Sequence, residues 1–187
     1  MRINTKQKKM KEGQMVKVPH LGWVTKKVAM QIAALELLDR ESTDHKDYKL
    51  IKCTLDGKTI KVDARWKKAV YVLYNNGEPN YTGSTAPGDG DITRRPLDHA
   101  KPGKYQKEFD SYHLLTLPDD VDHLMAEMHM IERCRRQYHL KNDYNSPPVP
   151  YKIYYHTKKL YQSYKKRKNV HTEPFGVNHL ITNYITK

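Results

Sequence analysis

Residues 69–84 read AVYVLYNNGEPNYTGS, and this stretch decides the fold that the sequence predicts. Residues 69–74 are apolar and rich in valine and tyrosine, a composition that favours a β-strand. Residues 75–77, two asparagines and a glycine, are typical of a tight turn because both residue types tolerate positive φ angles. A second strand over residues 80–84 then closes an antiparallel hairpin.

The sequence before this hairpin predicts a helix and another hairpin. Apolar residues recur at helical spacing over residues 23–40, and Thr25 is suited to cap this helix. Alternating polar and apolar residues predict strands over 48–54 and 58–63. The Asp-Gly pair at 56–57 predicts a tight turn between these two strands.

The sequence after the hairpin continues with helices and a strand. Three elements are predicted there: a short helix over 93–100, a strand over 109–117 and a long helix over 118–138. Carboxylates in the first turn of the long helix would suit the positive end of its dipole. A proline-containing linker over 142–150 separates this helix from a basic, tyrosine-rich segment.

These elements predict an α+β fold. We expect a small core over residues 67–145, in which a three-stranded antiparallel sheet is flanked by helices. Residues 1–66 form an extension made of a flexible basic arm, the first helix and the first hairpin. This helix and hairpin either extend the core sheet or form a separate layer. Residues 146–187 form a basic C-terminal extension.

The net charge favours a polyanionic partner. The chain has 34 Lys and Arg against 21 Asp and Glu, a formal net charge of +13, and each neutralised phosphate releases a counterion. Nucleic acid is the first candidate. No apolar anchor or membrane-length stretch accompanies the charge, so we expect no membrane partner.

The chain has only two cysteines, which predict no zinc motif or disulfide framework. No signal peptide is evident, which predicts a cytoplasmic protein.

Six polar residues of types that serve in phosphodiester chemistry follow one another along the predicted strands and helices, the last of them just beyond the long helix. They are Tyr71, Tyr81, Arg95, His99, Glu127 and Asn142. With the triplets at 69–71 and 81–83, this order resembles the GIY-YIG nuclease family over residues 67–145. Ala69 departs from the family's usual glycine, and Thr82 replaces an aliphatic residue.

The resemblance implies a GIY-YIG-like core and a role for each of the two tyrosines and their cationic neighbours. Tyr71 or Tyr81 would position or deprotonate the attacking water. Arg95 would clamp the scissile phosphate as a planar fork. His99 would hydrogen-bond to the site and relay the tyrosine's proton. The loop before the short helix is longer than in compact family members, which leaves Arg94 as the alternative to Arg95.

The resemblance also implies a metal ion and two supporting residues. Glu127 would be the single carboxylate ligand of Mg²⁺ or Mn²⁺, with water and phosphate completing the coordination. Asn142 would brace a helix end or a loop of the site. Gly83 would allow a close backbone approach.

The residue types themselves suit this chemistry but also have simpler interpretations. A hard divalent ion prefers carboxylate oxygens and water, and it offsets charge on a leaving oxygen. A tyrosine titrates near ~10, so it needs a nearby cation to act as a base. Alternatively, the strand tyrosines Tyr71 and Tyr81 pack across strands, and Glu127 pairs with His123 on one helix face.

Basic residues outside these six positions predict contacts with DNA phosphates. They are Lys101 and Lys104 after the short helix, and Lys158, Lys159, Lys165, Lys166, Arg167 and Lys168 near the C-terminus. Tyrosines interleave with the C-terminal group, as in surfaces that combine charge with stacking. The alternative is a solvated helix whose tyrosines pack on the core.

Taken together, the sequence predicts a metal-dependent DNA endonuclease of the restriction, homing, phage or repair type. Double-stranded DNA is the expected substrate. One site cuts one strand, so double-strand cleavage would require a homodimer or two successive events. The alternative is a non-catalytic basic nucleic-acid-binding protein, ribosomal or architectural, which would explain the charge but not the ordered set of six residues.

Overall fold

The computed structural model describes residues 13–39, 44–45, 48–55 and 62–168 of the chain. In chain order, the elements are β1 (Met15–Val18), β2 (Gly22–Thr25), α1 (Lys26–Leu38), β3 (Asp44–His45), β4 (Tyr48–Thr54), β5 (Lys68–Asn75), β6 (Glu78–Thr85), α2 (Arg94–Asp98), β7 (Ser111–Leu117), α3 (His123–Arg135) and α4 (Tyr151–Arg167). The predicted α+β class is confirmed.

The main sheet is antiparallel, with the strand order β3-β4-β7-β5-β6. Its last three strands are the predicted three-stranded core. Two further strands widen it, because β4 pairs along the free edge of β7, with Leu50 opposite Leu115. The N-terminal segment therefore extends the core sheet. Strands β1 and β2 form a separate two-stranded sheet.

The hairpin at residues 69–84 forms as the sequence predicts. Asn76 and Gly77 adopt positive φ angles of 52° and 80°, which allow the tight turn between β5 and β6. The register places Tyr71 opposite Gly83, and it shifts between Leu73 and Tyr74. In this register, Gly83 of β6 lies directly opposite the large aromatic residue Tyr71 of β5.

The main sheet separates two apolar layers because side chains alternate between its faces. On one face, Val70, Val72 and Leu115 pack with helices α1, α3 and α4. On the other face, Tyr71 and Leu73 pack with a smaller cluster. Among the residues that the structure describes, no helix has the length and apolar character that a bilayer span requires.

Helix α1 is shorter at its start than predicted. Thr25 caps it as expected, since its hydroxyl accepts a hydrogen bond from the Val28 amide at 3.3 Å. Trp23 lies before the cap, in β2. Residues 15–17 of β1 belong to the segment over 1–17 that the sequence assigned to a flexible arm, and they are ordered because the β1 backbone pairs with β2.

Helix α3 begins at His123, with Asp122 as its N-cap, so the prediction of carboxylates in its first turn was wrong. The preceding residues stay non-helical because the buried Lys68 ammonium donates to the carbonyls of Asp119 and Val121, at 2.8 and 2.7 Å. The predicted turn at 56–57, most of the strand over 58–63, and residues 1–12 and 169–187 lie outside the described part of the chain.

Asp39 joins three helices on the face that carries α1, α3 and α4. It caps the end of α1, accepts from His129 of α3 at 3.2 Å and pairs with Lys165 of α4 at 3.2 Å. Burial alone would raise the pKa of Asp39. The hydrogen bond from His129 and the charges of Arg133 and Lys165 outweigh burial and hold this pKa below its usual range. Ionised Asp39 therefore stabilises the folded state.

We predict that Asp39→Asn lowers the free energy of unfolding at pH 7 by ~1–3 kcal/mol, because it leaves Lys165 and Arg133 without their counter-charge. Urea unfolding measures the loss. Asp63→Asn is the matched control, because Asp63 pairs with Arg65 at an exposed position, and it should cost less than ~0.5 kcal/mol. The Asp39 contribution should persist above the ordinary aspartate pKa of 3.8 and fall as the pH drops below it. Equal losses for the two variants would contradict this role.

Candidate active site

The close approach of Tyr71 to Gly83 is the centre of the candidate site. A Cβ atom at Gly83 would lie 2.3 Å from the Tyr71 hydroxyl oxygen and 2.4 Å from Cζ. These distances are far below van der Waals contact, so only glycine accommodates the ring in this position. The Tyr71 side chain is almost fully buried. Its hydroxyl is thereby fixed above the backbone of β6.

A chain of hydrogen bonds defines the protonation of His99. The Tyr105 carbonyl lies 2.8 Å from Nδ1 of His99, and the Tyr71 hydroxyl lies 2.9 Å from Nε2. A carbonyl only accepts, so Nδ1 carries the proton and Nε2 accepts from Tyr71. Burial lowers the pKa of His99, and the charges of Lys107 and Arg95 add to this effect. The imidazole is therefore a neutral acceptor for the tyrosine's proton.

Tyr81 lies beside this pair and is the more accessible of the two tyrosines. Its ring packs edge-on against His99, with the centroids 4.9 Å apart, and the Lys107 ammonium lies 5.1 Å from its centroid. Burial raises the pKa of Tyr71 and Tyr81, and the Glu127 carboxylate acts in the same direction. Arg95 opposes both shifts. Without another cation, both tyrosines are protonated at neutral pH.

Glu127 reaches the same part of β6 from α3. Its carboxylate accepts a hydrogen bond from the Ser84 hydroxyl at 2.6 Å, one residue beyond Gly83. Burial raises the pKa of the Glu127 carboxyl to about 7, although the Ser84 hydrogen bond and the Arg95 charge oppose the shift. The predicted alternative, a surface pair between Glu127 and His123, is not among the ion pairs of the described residues.

Arg95 supplies positive charge that acts on Glu127 and on both tyrosines. It is exposed on α2, and its charge lowers the pKa of Glu127 and of both tyrosines. Arg94, the alternative from the sequence, instead lies 3.9 Å from Asp98, four residues along the chain. Arg95 is therefore the arginine that acts electrostatically on the site.

Asn142 braces the outer edge of β6. Its side-chain oxygen accepts from the Thr82 amide at 3.0 Å, and its side-chain nitrogen donates to the Thr82 carbonyl at 2.7 Å. The Lys141 amide donates to the Asn80 carbonyl at 2.7 Å. These bonds satisfy backbone groups at the edge of β6 that would otherwise be free to pair with another strand. They also hold in place the strand that carries Tyr81 and Gly83.

The donor set fits a metal ion bound by one protein carboxylate. Among the residues that the structure describes, no three His, Cys, Asp or Glu side chains converge on one point. Glu127 is a hard oxygen donor whose desolvated charge is only partly offset by its neighbours. A divalent ion there would compensate that charge, with water and a phosphate oxygen as its remaining ligands.

Three neighbours of the site were missed as participants by sequence reasoning. Ser84 holds Glu127, the Tyr105 carbonyl sets the tautomer of His99, and Lys107 lies over the Tyr81 ring. Ser84 alone had a local signal, since it follows Gly83 directly. A backbone carbonyl and a lysine from a basic loop have no residue pattern that marks them.

The basic residues predicted to contact DNA fall into two groups. Lys101 pairs with Asp98 at 2.6 Å, and Lys104 lies over the exposed Tyr105 ring. On α4 and at its C-terminal cap, three lysines are half-buried in ion pairs with Glu132, Asp39 and Glu36, namely Lys158, Lys165 and Lys168. The other members are exposed on that helix, namely Lys159, Lys166 and Arg167.

Comparison with known proteins yields no relative. No family model matches the chain, no curated protein matches it, and no solved structure matches it. The site is therefore interpreted from its own geometry.

We predict that Gly83→Ala destabilises the fold by ~1–3 kcal/mol, because its methyl group would displace the Tyr71 ring and break the bond to His99. Thermal or urea unfolding measures the loss. Gly88→Ala is the control, since a Cβ there meets nothing within 4 Å and should change stability by less than ~0.5 kcal/mol. An alanine tolerated at residue 83 with the Tyr71–His99 bond intact would show that the close packing is not obligatory.

Proposed function

We propose that the protein is a metal-dependent DNA endonuclease of the GIY-YIG type, which hydrolyses phosphodiester bonds. The observation that carries the proposal is that two tyrosines, a histidine and a carboxylate lie around the same end of β6, within reach of the Arg95 charge. Gly83 receives the Tyr71 hydroxyl, and Ser84 binds the Glu127 carboxylate. Phosphodiester hydrolysis requires a positioned nucleophile and charge stabilisation at the phosphate. These side chains have suitable chemistry for both tasks.

The tyrosines and His99 handle the proton of the attacking water in this proposal. Tyr81 is accessible and contacts the water. Tyr71 donates to Nε2 of His99 at 2.9 Å, so any proton that reaches the Tyr71 hydroxyl is balanced by the proton that Tyr71 passes to the imidazole. Because His99 begins neutral, it has a free lone pair for that proton.

Arg95 and Glu127 provide the charge complement. The exposed guanidinium of Arg95 binds the phosphate oxygens as a fork, where it stabilises the charge that develops during displacement. Glu127 would hold Mg²⁺ or Mn²⁺, which would supply positive charge beside the scissile phosphate and the leaving oxygen. Ser84 orients the Glu127 carboxylate through its hydrogen bond.

The substrate is double-stranded DNA, cut one strand at a time by one protomer. A single set of these residues acts on one phosphate, so the first product from a supercoiled plasmid is the nicked circle. Linear DNA then follows from a second event or from a homodimer that presents two sites. The net charge of +13 supports the choice of a polyanionic substrate.

We predict that the protein nicks supercoiled plasmid DNA with Mg²⁺, and that Glu127→Gln and Arg95→Gln each slow nicking by at least ~100-fold. The reason is that each removes charge stabilisation at the phosphate. Gel assays of initial nicking rates measure the effect. Two matched controls make the same charge changes nearby, at exposed Glu78 and at Arg94, and both should retain activity.

Two outcomes would overturn the proposal. Wild-type protein that binds plasmid and leaves it supercoiled, across several plasmids and with either Mg²⁺ or Mn²⁺, would favour a non-catalytic nucleic-acid-binding protein. Nicking that survives in both Glu127→Gln and Arg95→Gln would show that the activity does not come from this site.

A further inference from the structure

Helix α4 carries two sets of lysines on different sides. Its buried side is formed by side chains at helical spacing, namely Tyr154, Thr157, Tyr161 and Tyr164. Lys158 and Lys165 lie next to this side. Lys158 pairs with Glu132 at 2.8 Å, and Lys165 pairs with Asp39 at 3.2 Å. Their charges are therefore neutralised within the protein.

The other set is exposed and lies along one line of the helix. Lys152, Lys159 and Lys166 follow one another at seven-residue spacing, which returns to nearly the same side of an α-helix because each step drifts by only ~20°. Within the part of the chain that the structure describes, no ion pair includes these three residues. We name Lys152, Lys159 and Lys166 the outer lysine row.

The outer lysine row has the dimensions of a contact with a DNA backbone. At 1.5 Å per residue, Lys152 and Lys166 are separated by about 21 Å along the helix axis. This length corresponds to about six base pairs of a duplex, in which each strand places a phosphate every ~3.4 Å. Long lysine side chains can each reach a phosphate along such a path.

The row begins near the candidate site. Arg135 donates to the Tyr151 hydroxyl at 3.0 Å and to the Asn142 carbonyl at 3.4 Å. Asn142 is the residue that braces β6. The Lys152 end of α4 therefore lies beside the segment that supports the catalytic strand, and the Lys166 end leads away from it. The row thus begins at the end of α4 that is linked to β6 through Arg135 and Asn142.

We propose that the outer lysine row, and not the inner lysines of α4, holds the phosphate backbone of duplex DNA flanking the cleavage site. This inference rests on the proposed function only in placing a cleavage site beside the bound duplex. The binding surface itself follows from the two sets of lysines, and its partner is duplex DNA, recognised through its backbone without base contacts.

The experiment compares two pairs of substitutions that remove the same charge from neighbouring positions. The outer pair is Lys159→Gln with Lys166→Gln, and the inner pair is Lys158→Gln with Lys165→Gln. Binding to a labelled 30-base-pair duplex is measured by fluorescence anisotropy over a range of salt concentrations, in EDTA so that no cleavage occurs. The slope of log affinity against log salt counts the phosphates neutralised.

We expect the outer pair to reduce the slope by about 2 and to leave thermal unfolding unchanged, since each lost phosphate contact removes about 0.9. The inner pair should leave the slope unchanged while lowering the melting temperature, because Glu132 and Asp39 each lose their lysine partner. A charge-retaining pair, Lys159→Arg with Lys166→Arg, keeps the wild-type slope and provides a second comparison that does not depend on the inner pair folding.

An unchanged slope for the outer pair would overturn the inference. So would a loss of affinity for vesicles with anionic lipid at unchanged duplex binding, because the row would then serve a membrane. These results are separable from the catalytic proposal. If the protein nicks DNA and the outer pair leaves the slope unchanged, only the role of the outer lysine row is refuted. If the outer pair reduces the slope but the wild-type protein never nicks DNA, the binding surface is supported and the nuclease proposal is refuted.

Discussion

The packing of the Tyr71 ring onto Gly83 is the constraint on which the site depends. A methyl group at residue 83 would lie 2.3 Å from the tyrosine hydroxyl. The absence of a side chain there lets the hydroxyl reach His99 at 2.9 Å. The hairpin turn sets the register that brings Tyr71 opposite Gly83, and Asn142 holds the outer edge of the same strand. Loss of this fit would separate Tyr71 from its proton acceptor.

Burial and charge are balanced around this contact. Burial disfavours the ionised forms of Tyr71, Tyr81 and Glu127, and raises the Glu127 pKa to about 7. Arg95 is the one group among the causes of these shifts that lowers the pKa of all three. A site with this balance favours the arrival of further positive charge, which a divalent ion would supply. In this account, the groups whose charge is compensated when the substrate binds are the same groups that act in its hydrolysis.

The sequence was informative where structure is local and less so where it depends on distant segments. The hairpin over 69–84 and the Thr25 cap were predicted because their signals lie within a few residues. The bond from Ser84 to Glu127 spans 43 residues, and no local pattern indicates that these two residues form a pair. Likewise, a basic run does not reveal which lysines face the protein. The tyrosines at helical spacing on α4 indicate its buried side, but the carboxylates of Asp39 and Glu132 that neutralise Lys165 and Lys158 come from other helices.

The central claim is that the groups assembled around Gly83 act together on one phosphate. A double-mutant cycle of Tyr71→Phe and Glu127→Gln, measured as single-turnover rates on one DNA fragment, tests it most directly. Residues that act as a unit in catalysis give strongly non-additive losses. We predict that the double variant is about as slow as the slower single variant. A double variant slowed by the product of the two single effects would show independent roles and contradict the account.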